Sequence, residues 1–353
     1  MQVALIEFFV TEQQTFVFVI DPRKPETKQE PWVETIEIEE SQISAGKNMI
    51  EKLARHPLIT TPFIQQFQKV GQQLLTNALE YIGECDILYI IPHKELHYFP
   101  FHAIEINGQA LCESYSIVYL PNASLLKFCQ ANNLLRKDKN YQYRQILTMG
   151  VGAKEDLPSI RKKYFLEIEK INQIFQDSQL FSFKGIKATK RQFLNYASES
   201  DLIHIASHGY FDNQHPLSSG PVLAFNNKLP SRFLQKDKQK YILEAQEFYQ
   251  LRLKANLAVF SGCMTGMSDV RPGDELMGLV RGVLAAGIPS MILSLWEAHH
   301  QAAIDFMTKF YKELKQGHPK AIAFQKAQSQ VRNNSETKEL KYWASFILIG
   351  DWL

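Results

Sequence analysis

Leu202-Ile203-His204-Ile205-Ala206-Ser207-His208-Gly209 and Leu257-Ala258-Val259-Phe260-Ser261-Gly262-Cys263 are the two stretches on which the reading of this chain turns. Each opens with a short apolar run and closes on small residues. A short apolar run bounded by turn formers is the pattern of a strand buried on both faces. Small residues after it suit a chain that leaves a sheet and turns a side chain outward. His208 closes one run and Cys263 follows the other.

The segments around them alternate regularly. Residues 146–151 predict a strand, 159–175 an amphipathic helix and 180–183 another strand; Thr189 caps a helix reaching about residue 197. Between the two runs, 221–225 reads as a hairpin arm and 243–253 as a helix. Beyond them come a helix at 274–286 ending at Gly287, a strand at 290–295, and helices at 299–315 and 319–331. Strands separated by helices of about 10 to 15 residues imply an α/β fold, a mostly parallel sheet with helices on both faces. Reactive groups in such sheets sit outside the carboxyl ends of the strands. His208 and Cys263 both fall there.

The first part of the chain is patterned differently. Residues 3–9 and 15–20 predict a hairpin, and 22–42, with three prolines and six glutamates, a loop or edge strand. Residues 42–81 carry helical periodicity broken at His56-Pro57 and Pro62. A buried strand at 86–91 precedes strands around 104–111 and 115–120 and a helix at 124–135. The polar run 136–144 (RKDKNYQYR) marks a boundary, giving an N-terminal half, 1–140, and a second half, 141–353.

Bulk properties narrow the function. A net charge of +2 calls for no nucleic-acid partner and no membrane surface. Arg281 and Pro289 interrupt the longest apolar stretch, 278–296, so it reads as helix, turn and strand rather than a membrane span. Cys85, Cys112, Cys129 and Cys263 have no zinc-type spacing, and so few thiols suit a reducing compartment. Together with the absence of a signal-peptide pattern, this predicts a cytoplasmic protein. His93-Lys94-Glu95-Leu96-His97 has its glutamate one place off the metalloprotease helix pattern and is bracketed by Pro92 and Pro100. No metal or other cofactor is expected.

A free thiol with a pKa near 8.5 is only a few per cent thiolate at neutral pH, so a nucleophilic cysteine needs a base. His208 can supply one. The backbone N–H groups of Gly209 and Cys263 are then candidates for an oxyanion hole. The histidine lies 55 residues before the cysteine; caspases place theirs about 50 upstream. The plain alternative is a buried, inert cysteine and a histidine in a turn.

Longer motifs sharpen the choice. His204-Ile205-Ala206-Ser207-His208-Gly209, Phe260-Ser261-Gly262-Cys263-Met264-Thr265-Gly266 and Gly278-Leu279-Val280-Arg281-Gly282-Val283-Leu284-Ala285-Ala286-Gly287 closely resemble the CHAT family. So do Ser294-Leu295-Trp296, Ala327-Gln328, the run from Trp343 to Asp351 and, upstream, Ile91-Pro92-His93, Pro100-Phe101-His102-Ala103 and Tyr119-Leu120-Pro121-Asn122. The resemblance runs over the whole chain in the family's order. It implies a caspase-like cysteine endopeptidase with Cys263 as nucleophile and His208 as general base, and an N-terminal pseudoprotease-like half without catalytic residues. His204, further back on the same strand face, reads as a buried structural histidine.

The resemblance further implies a specific protein substrate in signalling or defence, and control by an activating partner or attached repeat domain. The chain opens on the first strand of the family pattern, so it reads as a stand-alone protease or the catalytic part of a larger protein. The competing class is a non-catalytic interaction or scaffold module. An acyltransferase using the same dyad is a third reading. Relatives often have Ala where Gly262 stands, a change that reads as conservative. Basic-specific metacaspases have Asp where Ser261 stands, so an uncharged cleavage residue is expected. Asp269, Asp274 and Glu275, around Pro272-Gly273, are candidates for shaping the substrate pocket; the plain reading of Asp274 and Glu275 is favourable charge at a helix start. Trp296 is a candidate subsite wall or a core residue. The basic run 236–240 reads as solvated, as a processing site or as a regulator contact.

Overall fold

The computed structural model describes residues 1–24, 30–44, 61–134, 143–212, 214–231, 238–262, 274–296 and 298–353. The strands among these residues are β1 (Val3–Val10), β2 (Thr15–Ile20), β3 (Trp32–Ile36), β4 (Ile87–Ile91), β5 (Glu105–Ile106), β6 (Gln109–Ala110) and β7 (Ser116–Tyr119). They continue with β8 (Gln145–Val151), β9 (Gln179–Lys184), β10 (Leu202–Ser207), β11 (Gly209–Tyr210), β12 (Gly220–Pro221), β13 (Leu257–Phe260), β14 (Ser290–Ser294) and β15 (Phe346–Gly350). The longer helices are α1 (Thr61–Ile82), α2 (Ser124–Leu134), α3 (Pro158–Ile174), α4 (Lys190–Tyr196), α5 (Asp274–Ala285), α6 (His300–Lys315) and α7 (Lys320–Asn333).

Eleven strands form one sheet in the order β3-β2-β1-β4-β7-β15-β14-β13-β10-β8-β9. β10 runs parallel to both neighbours, with Ile205 opposite Phe260 on β13 and Ser207 opposite Val151 on β8. Antiparallel pairing occurs at β1–β2, β2–β3 and β14–β15. β15 is parallel to β7, so the sheet reverses direction between β15 and β14. The carboxyl ends of β8, β10 and β13 therefore open on one edge of the sheet. Those of β4 and β7 open on the opposite edge.

Burial follows position in the sheet. β4, β7, β10, β13, β14 and β15 are buried along their whole length, as expected of strands covered on both faces. The outer strands β3 and β9 mix exposed with partly buried residues. On β10, His204 and Ala206 meet α3 and α6 through Glu167, Ile168 and Tyr311. Ile205, on the other face, lines a pocket with Leu279 of α5. Helices thus cover both faces of the strand that carries His208.

Besides 104–111, which forms the separate β5–β6 hairpin rather than one strand, three elements differ from the sequence reading. Residues 243–253 hold only a one-turn helix, Ala245–Phe248. Long-range partners claim the backbone there: Leu243 N–H bonds Pro221 O at 3.0 Å and Ala245 N–H bonds Ser219 O at 2.8 Å. Pro62 lies in the first turn of α1 rather than breaking it, a position where a missing N–H costs nothing. His56-Pro57 lies outside the described residues. The third difference is β15, an added strand whose local sequence does not announce its pairing with both β14 and β7.

Candidate active site

Three adjacent strand ends converge at the edge where β8, β10 and β13 finish. The loop after β8, Gly152 to Leu157, leads into α3 and carries Asp156. His208 follows β10, and Ser261-Gly262 follow β13. Side chains hold the backbone of the β8 loop: Asp156 Oδ2 accepts the Ala153 N–H at 2.7 Å, and Arg161 Nη1 of α3 donates to Lys154 O at 3.0 Å.

His208 is nearly buried, and its Nε2 stands 2.9 Å from Asp156 Oδ2. A carboxylate only accepts, so this contact places the imidazole proton on Nε2 and the lone pair on Nδ1. Tyr164 of α3 packs its ring edge-on to the imidazole at 5.5 Å, with its hydroxyl 3.4 Å from Nε2. Tyr164, Ile168 and Ala206 form a small apolar cluster separate from the main core. Asp156 and Tyr164 were not singled out from the sequence. The available signal was topological, since the loop after β8 must sit beside the end of β10 once the two strands pair. Sequence alone did not distinguish Asp156 from Glu155 or choose that loop.

Gly262 owes its identity to close packing. A Cβ there would lie 1.6 Å from the Ser207 carbonyl oxygen and 2.8 Å from its carbon. No side chain can move to relieve a clash with backbone. The sequence reading that Ala at this place is conservative does not hold in this backbone arrangement. The Gly262 carbonyl in turn accepts a hydrogen bond from Ser294 Oγ at the end of β14. Four neighbouring strand ends are thereby tied together, β8 to β10 by Asp156–His208, β10 to β13 by Ser207–Gly262, and β13 to β14 by Gly262–Ser294.

His204 is fully buried and has both ring nitrogens occupied. Nε2 lies 3.0 Å from Glu167 Oε1, and Nδ1 lies 2.9 Å from the Tyr311 hydroxyl. Burial raises the Tyr311 hydroxyl pKa well above its ordinary value, with the Glu167 charge adding to the effect. This paired network braces β10 against α3 and α6.

The other candidates are distributed as follows. Cys263 and Asp269 lie outside the described residues. Asp274 and Glu275 are the first two residues of α5. Gly209 is partly exposed in β11, which pairs with β12. Ser261 and Trp296 are buried, at 4% and 2% exposure, and the Trp296 indole N–H donates to Lys341 O at 2.9 Å. Both therefore support the strand ends from within the core. Of the basic run, Lys236 and Asp237 lie outside the described residues. Lys238 bonds Tyr210 and Asp212 at 2.7 and 2.9 Å, which holds its ammonium above its ordinary pKa and ties that segment to the loop after His208.

Cys85, Cys112 and Cys129 are buried, and burial pushes their thiols up to about 11, 12 and 12. His93 precedes, and His97 lies within, a short 3₁₀ turn, Lys94–Tyr98. Among the described residues no group of three or more His, Cys, Asp or Glu side chains could hold a metal ion.

A large, mostly parallel sheet flanked by helices, with a histidine at a central strand end, defines a caspase-like fold. The CHAT domain profile matches residues 65–351, and the chain belongs to the CHAT domain family. A chain of the Saccharomyces cerevisiae separase–securin complex shares this fold, with a TM-score of 0.56 at 11% identity, covering 99% of this chain and 30% of that one. Tetratricopeptide repeat protein 28 of Homo sapiens is 22% identical over 300 residues, and its Mus musculus counterpart is 21% identical over the same length. Each of these matches covers 76% of this chain, which spans only 12% of either relative's length. Among the described residues, no helix is long and apolar enough to cross a membrane.

Proposed function

We propose that this chain is a cysteine endopeptidase in which His208 activates Cys263 and Asp156 orients His208. The observation that carries this reading is the 2.9 Å contact between His208 Nε2 and a buried carboxylate. It leaves Nδ1 as the basic nitrogen on a strand end adjacent to the one that leads into Cys263.

In this reading Nδ1 takes the Cys263 thiol proton and the sulfur attacks the scissile carbonyl carbon. The N–H groups of Gly209 and Cys263 receive the oxyanion, each worth about 10²–10³ in rate. Collapse breaks the C–N bond, and the departing amine takes the proton from His208. Water then gives one proton to His208 and its OH to the acyl carbon; the C–S bond breaks, the acid leaves, and the sulfur takes its proton back from His208. Asp156 stays ionised and holds the imidazolium in place. Residues 1–140 serve as the non-catalytic, pseudoprotease-like half and 141–353 as the catalytic half. A specific protein is the substrate, in signalling or defence, with an activating partner or attached repeat domain in control and the cytoplasm as the setting.

A second reading, a non-catalytic CHAT-like interaction module, is favoured by the likeness to a protein named for its tetratricopeptide repeats. Comparing native chain with Cys263→Ala on a protein and peptide library separates the two. Cleavage that disappears in the variant supports the peptidase. Binding partners retained equally by both chains, with no cleavage by either, supports the module. Transfer of the acyl group to an added amine, rather than to water, identifies an acyltransferase.

A further inference from the structure

Strands β1, β2 and β3 are the outermost three at one end of the sheet. One face of them is core: Ala4, Ile6, Phe8 and Val10 of β1 and Val17 and Val19 of β2 are each 2% exposed or less. The opposite face is apolar as well. There the register sets Phe9 beside Phe16, and Phe18 between Glu7 and Val33. Phe9 and Val33 are 50% and 48% exposed. Phe16 and Phe18 are partly exposed, their rings stacked on each other at 6.5 Å. His93 stacks on Phe9 at 4.8 Å and borders the patch. A hairpin face turned to water ordinarily carries polar residues, and a contiguous apolar patch in its place marks a contact surface. Within this face stands Glu7, opposite Phe18 on β2 and Ile91 on β4. Among the described residues no hydrogen bond or ion pair reaches its carboxylate. Burial, with no cation beside it to offset the effect, raises its pKa above the ordinary carboxylate value. An acid partly withdrawn from water without a partner is a standing cost, which a cation brought in by a second molecule relieves.

We infer that this face docks an amphipathic α-helix of a protein partner, whose apolar stripe carries one lysine or arginine that pairs with Glu7. Three strands span two inter-strand spacings, just under ~10 Å, which is about the width of one helix. A helix seated there gives β1–β3 the second helical layer that β10 already has. Phe9, Phe18 and Val33 supply the apolar contact, and Glu7 supplies the selection for charge. Two copies of this chain packed through the same face would bring together a second acid and no cation, since Phe9, Phe16, Phe18, Val33 and Thr35 are all uncharged. Self-pairing therefore leaves Glu7 unsatisfied. The inference concerns the first half of the chain and stands independently of the peptidase reading.

The test is a displayed library of amphipathic helical peptides of about 20 residues with the apolar stripe randomised, selected on native chain and counter-selected on Val33→Asp. Val33 lies outside the core, so the variant should keep the native fold, which thermal unfolding checks. Enrichment of Lys or Arg at one position within the stripe, with about tenfold weaker binding of those peptides to Glu7→Gln, supports the inference. Selection on Glu7→Lys should instead enrich Asp or Glu at that position. Binders whose stripe holds no cation, equal binding to native and Glu7→Gln, or no binder sensitive to Val33→Asp overturns it. Sedimentation of native chain alone that shows a dimer abolished by Val33→Asp assigns the face to a second copy and also overturns it. No arm reads cleavage, so failure of the peptidase reading leaves each of these outcomes unchanged.

Discussion

Asp156 Oδ2 stands 2.9 Å from His208 Nε2 while accepting the Ala153 N–H at 2.7 Å, so one carboxylate oxygen ties the β8 loop to the end of β10. An Asp156→Asn chain keeps the size of this group but replaces a pure acceptor with one that can also donate. The imidazole proton is then free to move to Nδ1, the nitrogen needed as base. We expect a folded protein with kcat/KM lowered by about 10²–10⁴. Peptide cleavage together with thermal unfolding measures this; activity within threefold of native would remove Asp156 from the mechanism.

Gly262→Ala places a methyl 1.6 Å from the Ser207 carbonyl. Overpacking against a well-packed site typically costs about 1–3 kcal/mol, and the backbone neighbour puts this case at the upper end. Ser294→Ala, which removes only the donor to the Gly262 carbonyl, should cost about 1 kcal/mol. Urea titrations should rank the two in that order, with the alanine at 262 also lowering activity by displacing the residue that follows.

His102 supplies a pH dependence unrelated to catalysis. It is buried between the Tyr119 hydroxyl at 3.0 Å and the Ala344 carbonyl at 3.1 Å, and burial lowers its pKa to about 4. The unfolded imidazole takes up its proton near pH 6.5. Between those values the unfolded chain holds one more proton than the folded one. Stability therefore falls as pH drops from about 6.5 to 4 and levels off below, by up to ~3 kcal/mol from this residue. His97, also driven down to about 4, chiefly by burial, adds in the same direction. Unfolding midpoints at pH 7 and 4.5 should diverge less in His102→Gln than in native protein.

Lys320 is 1% exposed, with its ammonium 3.0 Å from Asn256 Oδ1 and 4.0 Å from Asp351 Oδ2. It joins the start of α7 to the residue just after β15. Lys320→Met leaves a buried carboxylate without this cation and should cost about 3–5 kcal/mol. Adding Asp351→Asn to that variant should recover part of the loss, read as a rise in Tm over the single mutant.

Local pattern revealed the strands that carry the site because β10 and β13 are buried on both faces and read as unbroken apolar runs. The fully buried, doubly bonded His204 also matches what its place within the run suggested. Less visible were features created by pairing over long distances. β15 lies between β14 and β7, and this position reverses the sheet, yet its residues 346–350 do not say which strands they join. Asp156 follows Glu155 in a polar loop, and only the β8–β10 register brings one of those two carboxylates to His208. Gly262 looked like a turn glycine, whereas its requirement comes from the carbonyl of Ser207 pressed against it. The helix expected at 243–253 gave way to hydrogen bonds with Pro221 and Ser219, partners that no local periodicity contains.

The central claim, that His208 activates Cys263, is tested most directly by the rate of Cys263 alkylation as a function of pH in native and His208→Ala chains, followed by peptide mass mapping. Cys85, Cys112 and Cys129 are buried with raised thiol pKa values and should react slowly. An activated dyad predicts fast modification of Cys263 at pH 6 to 7 in the native chain. In His208→Ala the profile should move up to that of an ordinary thiol, with half-maximal rate near pH 8.5. Identical profiles in the two chains, both centred near pH 8.5, would contradict the account.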